Sequence, residues 1–224
     1  MLKVQLFYMN IADISVSSFP FVSRMRSERI SSSVCENVKK QYLGVELLLN
    51  YYAAKNDLSV PVQYSYNDLG KPIMPDGSFH FSLAHSGDIA MCAAANEDVG
   101  LDVETKRLNR FSLSKKILSD SEFAEFEATD NKADYLIEKW TGKEAYLKLT
   151  GQGLRFPMKQ ISISGLRVLD NEKKPLAYVT QGRLSDNAAY AVASYSVHTI
   201  ELTQVSVDDI LKTISAFDSQ YTKI

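Results

Sequence analysis

Between residues 79 and 104 the chain lays down three strand-like runs in quick succession. Phe79, Phe81 and Leu83 alternate into a segment ending at 85-HSG-87, 89-IAMCAAA-95 is continuously apolar, and 99-VGLDVE-104 alternates again after the turn 96-NED-98. Short apolar runs bounded by Gly, Asn and Asp read as strands. This block therefore commits the middle of the chain to a sheet. On either side the period changes. In 34-VCENVKKQYLGVELLLNYYAAK-55 the residues Val34, Val38, Tyr42, Val45, Leu48 and Leu49 fall on one helical stripe, and the helical pattern extends back to Ser23. Helical patterns return over 112–128 and over 132–151, the latter ending at a glycine suited to a C-cap.

Strand patterns also occupy residues 3–11, 159–169, 176–184 and 189–195, and 206–224 suggests a short closing helix with a loose tail. Each half thus reads as a long helix followed by antiparallel-looking strands. The expected architecture is α+β, with two similar halves (1–105 and 106–224) related by a pseudo-twofold. At 224 residues, 45% hydrophobic and 23% charged, the chain is ordinary for a soluble globular protein. A net charge of −2 supplies no global field for nucleic acid or a membrane surface, so any anion-binding surface must be local. No apolar run approaches the roughly 20 residues of a membrane span. The N-terminus lacks the cleavage pattern of a signal peptide, and a cytoplasmic location is expected. Cys35 and Cys92 stand far apart with no CxxC partner, which argues against a disulfide framework or a cysteine zinc site.

In 100-GLDVE-104 the alternation sends Leu101 and Val103 one way and Asp102 and Glu104 the other. Two carboxylates that close repel unless a cation lies between them or one is protonated. A solvated edge strand would account for them as well. In 140-WTGKEAYLK-148 Glu144 and Lys148 stand one helical turn apart, which an ordinary surface pair would also explain. Together with the strand acids, however, Glu144 would make a third carboxylate suited to a hard cation such as Mg²⁺. Lys148 would lie on the same side, able to meet a phosphate. The turn 85-HSG-87 offers an imidazole, a hydroxyl and backbone N–H groups to an anion. It lacks a nucleophile elbow, so a serine hydrolase is not indicated.

Taken in order, 70-GKP-72, 81-FSLAHSG-87, 100-GLDVE-104 and 140-WTGKEAYLK-148 resemble the motif series of the larger, surfactin-synthetase-activating type of 4′-phosphopantetheinyl transferase. The resemblance implies two α+β halves with coenzyme A in the cleft between them. It also implies transfer of the 4′-phosphopantetheine arm to a serine of an apo acyl or peptidyl carrier protein, with release of adenosine 3′,5′-bisphosphate. Carried over by motif, Asp102, Glu104 and Glu144 would hold Mg²⁺, and Lys148 would contact the α-phosphate. Lys143 would sit near the same phosphates, Lys71 and Pro72 would border the adenine, and His85 and Ser86 would bind phosphate. Glu122 matches a family glutamate proposed as a base for the serine. Catalysis would thus rest on Glu144, Lys148, Glu122 and Asp102. Two departures concern the 3′-phosphate: Ala84 replaces the serine usual before the histidine, and Lys40 stands where the family often has an arginine. Arg24, Arg26 and Arg29 could supplement Lys40.

Carrier proteins of this kind are typically acidic. The basic segment 105-TKRLNRFSLSKK-116 is therefore the expected docking site, with Arg107, Arg110, Phe111, Leu113 and Lys115 receiving the carrier's helix. Two fused halves complete the cleft within one chain, so a monomer is expected, with no nucleic-acid or membrane partner. The competing readings are a non-catalytic coenzyme A or carrier-binding module and a metal-dependent phosphohydrolase. Only three histidines make a metallohydrolase set sparse.

Overall fold

The computed structural model describes residues 1–12, 14–16, 22–105 and 111–221. The first sheet has strand order β11-β1-β5-β4, where β1 is Leu2–Asn10, β4 His80–Ser86, β5 Ile89–Ala95 and β11 His198–Gln204. The second has order β6-β10-β9-β8-β7, built from β6 (Val99–Thr105), β7 (Ser162–Ser164), β8 (Arg167–Leu169), β9 (Pro175–Ser185) and β10 (Ala188–Ser194). A small ribbon pairs β2 (Ser65–Tyr66) with β3 (Pro72–Ile73).

Period-2 burial explains how the sheets stack. One face of β1 sends Leu2, Val4 and Leu6 into a core shared with Val99, Leu101, Val103, Tyr190 and Val192 of the second sheet. The opposite face sends Phe7 and Met9 against helix α2 (Glu36–Lys55) and against Ile210 and Ile214 of α6 (Val207–Tyr221). The outer face of the second sheet, through Val179, Ala191 and Ala193, packs on Ala145, Leu147 and Leu149 of α5 (Lys132–Thr150). The result is an α+β stack in which each sheet is backed by its own long helix.

Several sequence readings hold and some shift. The helix over 132–151 ends at Gly151, which takes the left-handed conformation (φ 75°) that a glycine C-cap permits. The helical pattern over 23–55 splits into α1 (Arg24–Ser32) and α2, with a break at 33–35. Val34, expected on the buried stripe, falls in that break and is fully exposed. The 112–128 pattern likewise splits into α3 (Ser114–Ile117) and α4 (Asp120–Ala128).

Two strands cross the division expected at residue 105. β6 leaves the first sheet and pairs antiparallel with β10, so the turn at 96–98 joins two sheets and closes no hairpin between β5 and β6. β11, not among the strands expected from the sequence, returns to pair in parallel with β1. The Gly100 backbone touches α5: a Cβ there would lie 2.0 Å from the Ala145 carbonyl oxygen. Only glycine lets the helix lie this close to β6.

Candidate active site

The edges of the two sheets, β4 and β6, run side by side and are joined by serine hydroxyls. Ser82 Oγ accepts from the Leu101 N–H at 2.9 Å, and Ser86 Oγ accepts from the Thr105 N–H at 3.1 Å. Helix α5 crosses the outer face of this seam. The face of β6 bearing Gly100, Asp102 and Glu104 is thus turned toward a helix, and Asp102 is buried. The solvated-edge reading of the acidic pair does not survive.

Lys148 reaches over the seam from α5. Its Nζ donates to Asp102 Oδ1 at 2.9 Å and to the Leu83 carbonyl at 3.4 Å. The counter-charge absent from GLDVE itself is therefore supplied to Asp102 by a lysine 46 positions away. Among the described residues, the buried Asp102 Oδ2 has no hydrogen-bond partner. Burial pushes the Asp102 carboxyl up to about 6, Lys148 opposing the shift and Glu104 adding to it. Beside this pair opens a cavity of about 240 Å³, lined by Leu69, Lys71, Pro72, Leu83, Leu147 and Lys148 among others. A neighbouring cavity of about 310 Å³ shares Lys71, Pro72 and Phe81 with it.

Lys71 lines both spaces, but its ammonium is committed. It donates to Asp98 Oδ1 at 2.7 Å and to the Leu149 carbonyl at 2.9 Å, tying the GKP turn to the last turn of α5. Its stem and Pro72, not its charge, face the cavities. His85 is exposed as a residue, yet its ring is desolvated against Tyr42 (centroids 5.8 Å apart). That desolvation, with like charge from Lys148 and Arg26, pushes the imidazole down to about 4. His85 is thus neutral at pH 7.

The structure separates other expected site residues from the cavity. Lys143 is fully buried: its Nζ donates to Glu122 Oε2 at 2.5 Å, to Ile117 O at 2.7 Å and to Met158 O at 3.2 Å. All three ammonium protons are used, so the expectation that Lys143 contacts phosphates is corrected. Glu122, 2% exposed, accepts in addition from the Ser119 and Ile163 N–H groups. It closes a capping box on α4 and is no accessible base. Arg26 is buried against Glu46 (3.2 Å) and Tyr64 (2.9 Å), Arg24 pairs with Glu28, and Arg29 lies over the Tyr66 ring. Lys40 donates to the Ala12 carbonyl.

A divalent cation can be tested against these residues. Among the described residues no group of three His, Cys, Asp or Glu is gathered, so the expected set of Asp102, Glu104 and Glu144 is not assembled. The orphaned Asp102 Oδ2 and the Glu104 carboxylate two residues on do fit a hard cation. Mg²⁺ commonly takes one or two protein carboxylates and completes its octahedron with waters and phosphate oxygens. Glu144 is half-buried on α5, one turn before Lys148.

Residues 98–198 match the family model described as the 4′-phosphopantetheinyl transferase superfamily. That match spans a little under half of the chain. The matched span runs from the start of β6 to the start of β11 and contains Asp102, Glu104, Glu144 and Lys148. The chain is 30% identical over 132 residues to 4′-phosphopantetheinyl transferase Sfp of Bacillus subtilis, covering 57% of this chain and 59% of that protein. To the gsp transferase of Aneurinibacillus migulanus it is 26% identical over 188 residues, 78% of either chain. The matches to the first such relatives span only 59% of their length. The holo-[acyl-carrier-protein] synthase of Thermotoga maritima overlaps 43% of this chain and 61% of its own at 22% identity and a TM-score of 0.34.

The sequence motifs did not point to Ser82, Asp98, Tyr42 or the Leu83 carbonyl. Ser82 alone carried a usable signal, since it lies on the same strand face as Ser86, four residues earlier. Of the expected docking residues, Arg107 and Arg110 lie outside the described residues. Phe111 is exposed, Leu113 half-buried and Lys115 exposed.

Proposed function

We propose that this chain transfers the 4′-phosphopantetheine arm of coenzyme A to a serine hydroxyl of an apo acyl or peptidyl carrier protein, releasing adenosine 3′,5′-bisphosphate. The observation that carries the reading is Lys148, which pairs with the buried Asp102 and lines a cavity bordered by Lys71 and Pro72. A new phosphorus–oxygen bond forms to serine, the pyrophosphate linkage breaks, and the serine proton departs. Little covalent work falls to the protein, and charge neutralisation dominates. Lys148 Nζ, 31% exposed at its side chain, is positioned to meet charge developing on the leaving bisphosphate. Asp102 and Glu104 would hold Mg²⁺, which when bound supplies positive charge to the pyrophosphate. With Glu122 engaged inside the second half, Glu144 is the one left of the two expected helix carboxylates for the serine proton or for the cation. Pro72, Leu69 and the Lys71 stem form the wall against which the adenine would lie.

Phe111, Leu113 and Lys115, with Arg107 and Arg110, are proposed to receive the acidic carrier, by apolar contact rimmed with charge. We take the enzyme to act as a cytoplasmic monomer. No described helix is long and apolar enough to cross a membrane. The test is incubation with coenzyme A, Mg²⁺ and an apo carrier, followed by mass spectrometry. The carrier should gain one phosphopantetheine, and Asp102→Asn should abolish the gain. No gain with any carrier would reduce the chain to a binding module, and bisphosphate release without carrier would make it a hydrolase.

A further inference from the structure

Ser86 stands beside His85 in a turn whose groups the motif resemblance assigns to phosphate. Its environment says otherwise. The residue is 4% exposed, and its hydroxyl is surrounded on the β6 side. Ser86 Oγ accepts from the Thr105 N–H at 3.1 Å and lies 3.2 Å from Thr105 Oγ1. Its one proton is donated to Glu104 Oε2 at 2.9 Å. A serine hydroxyl has one donor and two acceptor positions. With Thr105 as the hydroxyl donor to Ser86, all three are filled, and no proton remains for a phosphate oxygen.

The turn that presents this hydroxyl is itself held from two directions. Gly87 takes φ 57°, and its carbonyl accepts from Gln41 Nε2 of α2 at 2.9 Å. On the other side a Cβ at Gly87 would come within 3.3 Å of Thr105 Cγ2, so the turn lies flush against the end of β6. Helix α2, the β4–β5 turn and β6 therefore form one chain of contacts ending at the Glu104 carboxylate.

We infer that Ser86 is a positioning residue for the Glu104 carboxylate, holding it on the Asp102 side of β6 for a divalent cation, and that it does not bind phosphate. The inference rests on the metal assignment proposed above and deepens it. An oxygen that receives a hydrogen bond at Oε2 has its rotamer set before the cation arrives, and loss of such a partner typically weakens metal affinity about 10–100-fold.

The test uses Mn²⁺ as the probe, titrated by electron paramagnetic resonance into full-length protein at saturating coenzyme A. Ser86→Ala should raise the Mn²⁺ dissociation constant about tenfold, and Ser86→Thr, which keeps the hydroxyl, should restore it. Coenzyme A affinity in EDTA, read by calorimetry, should be unchanged in Ser86→Ala. Unchanged Mn²⁺ affinity together with weakened coenzyme A binding would overturn the inference and return Ser86 to the phosphate. Wild-type protein that binds no Mn²⁺ would instead overturn the metal assignment itself, so the two failures are distinguishable. Circular dichroism of Ser86→Ala separates either result from misfolding, and the threonine variant keeps the question decidable if alanine does not fold.

Discussion

Lys143 and Glu122 show what a motif can and cannot locate at the scale of one residue. Both lie in segments matching a transferase pattern, yet Lys143 has no free donor and Glu122 is buried with both carboxylate oxygens engaged. Removing one partner of a buried ion pair strands the other, at about 3–5 kcal/mol. Lys143→Met should therefore lose roughly that much stability in urea unfolding. Where it remains folded at low temperature, its coenzyme A dissociation constant should match wild type. His85 behaves differently, because desolvation of its ring shifts its titration downward. Its folded-state value of about 4 lies below the roughly 6.5 of an unfolded histidine. Between those values the unfolded chain binds a proton that the folded protein does not, so stability falls as pH drops from about 6.5 toward 4. Melting temperature plotted against pH should be flatter over that window in His85→Gln than in wild type.

At the scale of elements, the site depends on how closely α5 lies on β6. The Lys148–Asp102 pair forms because Gly100 carries no side chain and the helix backbone touches the strand there. Gly100→Ala would force the two apart, and overpacking of this kind costs about 1–3 kcal/mol, more where backbone blocks relaxation. The variant should melt lower, and the proposed transfer activity should fall further than its folded fraction, because Lys148 moves with the helix. Comparison of kcat with the circular dichroism amplitude checks this. The Lys71 ammonium ties the GKP turn to Asp98 and the Leu149 carbonyl. Lys71→Met should accordingly raise KM for coenzyme A through loss of turn position, with kcat less affected, as steady-state kinetics would show.

At the scale of the whole molecule, the halves are laced together by exchanged strands. β6, from the first half of the chain, edges the second sheet, while β11 and α6, from its end, complete the first. Removal of residues 198–224 would unpair one side of β1 and uncover the core beneath Ile210 and Ile214. Such a truncation should lose the cooperative unfolding transition of the full chain and aggregate on heating, as calorimetry and light scattering would report.

Much of the candidate site was legible because its residues keep short, local spacings. Asp102 and Glu104 share a strand face at i and i+2, Glu144 and Lys148 share a helix face at i and i+4, and the turn at Gly151 announces itself as a C-cap. Element types followed from period 2 and period 3.6, with Val34 misplaced because the helical stripe runs through a break that periodicity alone does not reveal. Partner choice at long range was not legible. Nothing in GLDVE indicates that a lysine from α5 answers Asp102. Nothing in WTGKEAYLK separates the inward Lys143 from the cavity-lining Lys148, five residues apart on one helix. The sequence by itself determined the elements, the local pairing of charges and the order of the motifs, since each depends only on neighbouring residues and backbone geometry. The tertiary structure decided which of those charges are saturated by buried partners and which face the cavity, because desolvation and hydrogen-bond completion depend on chain segments that meet only after the sheets stack.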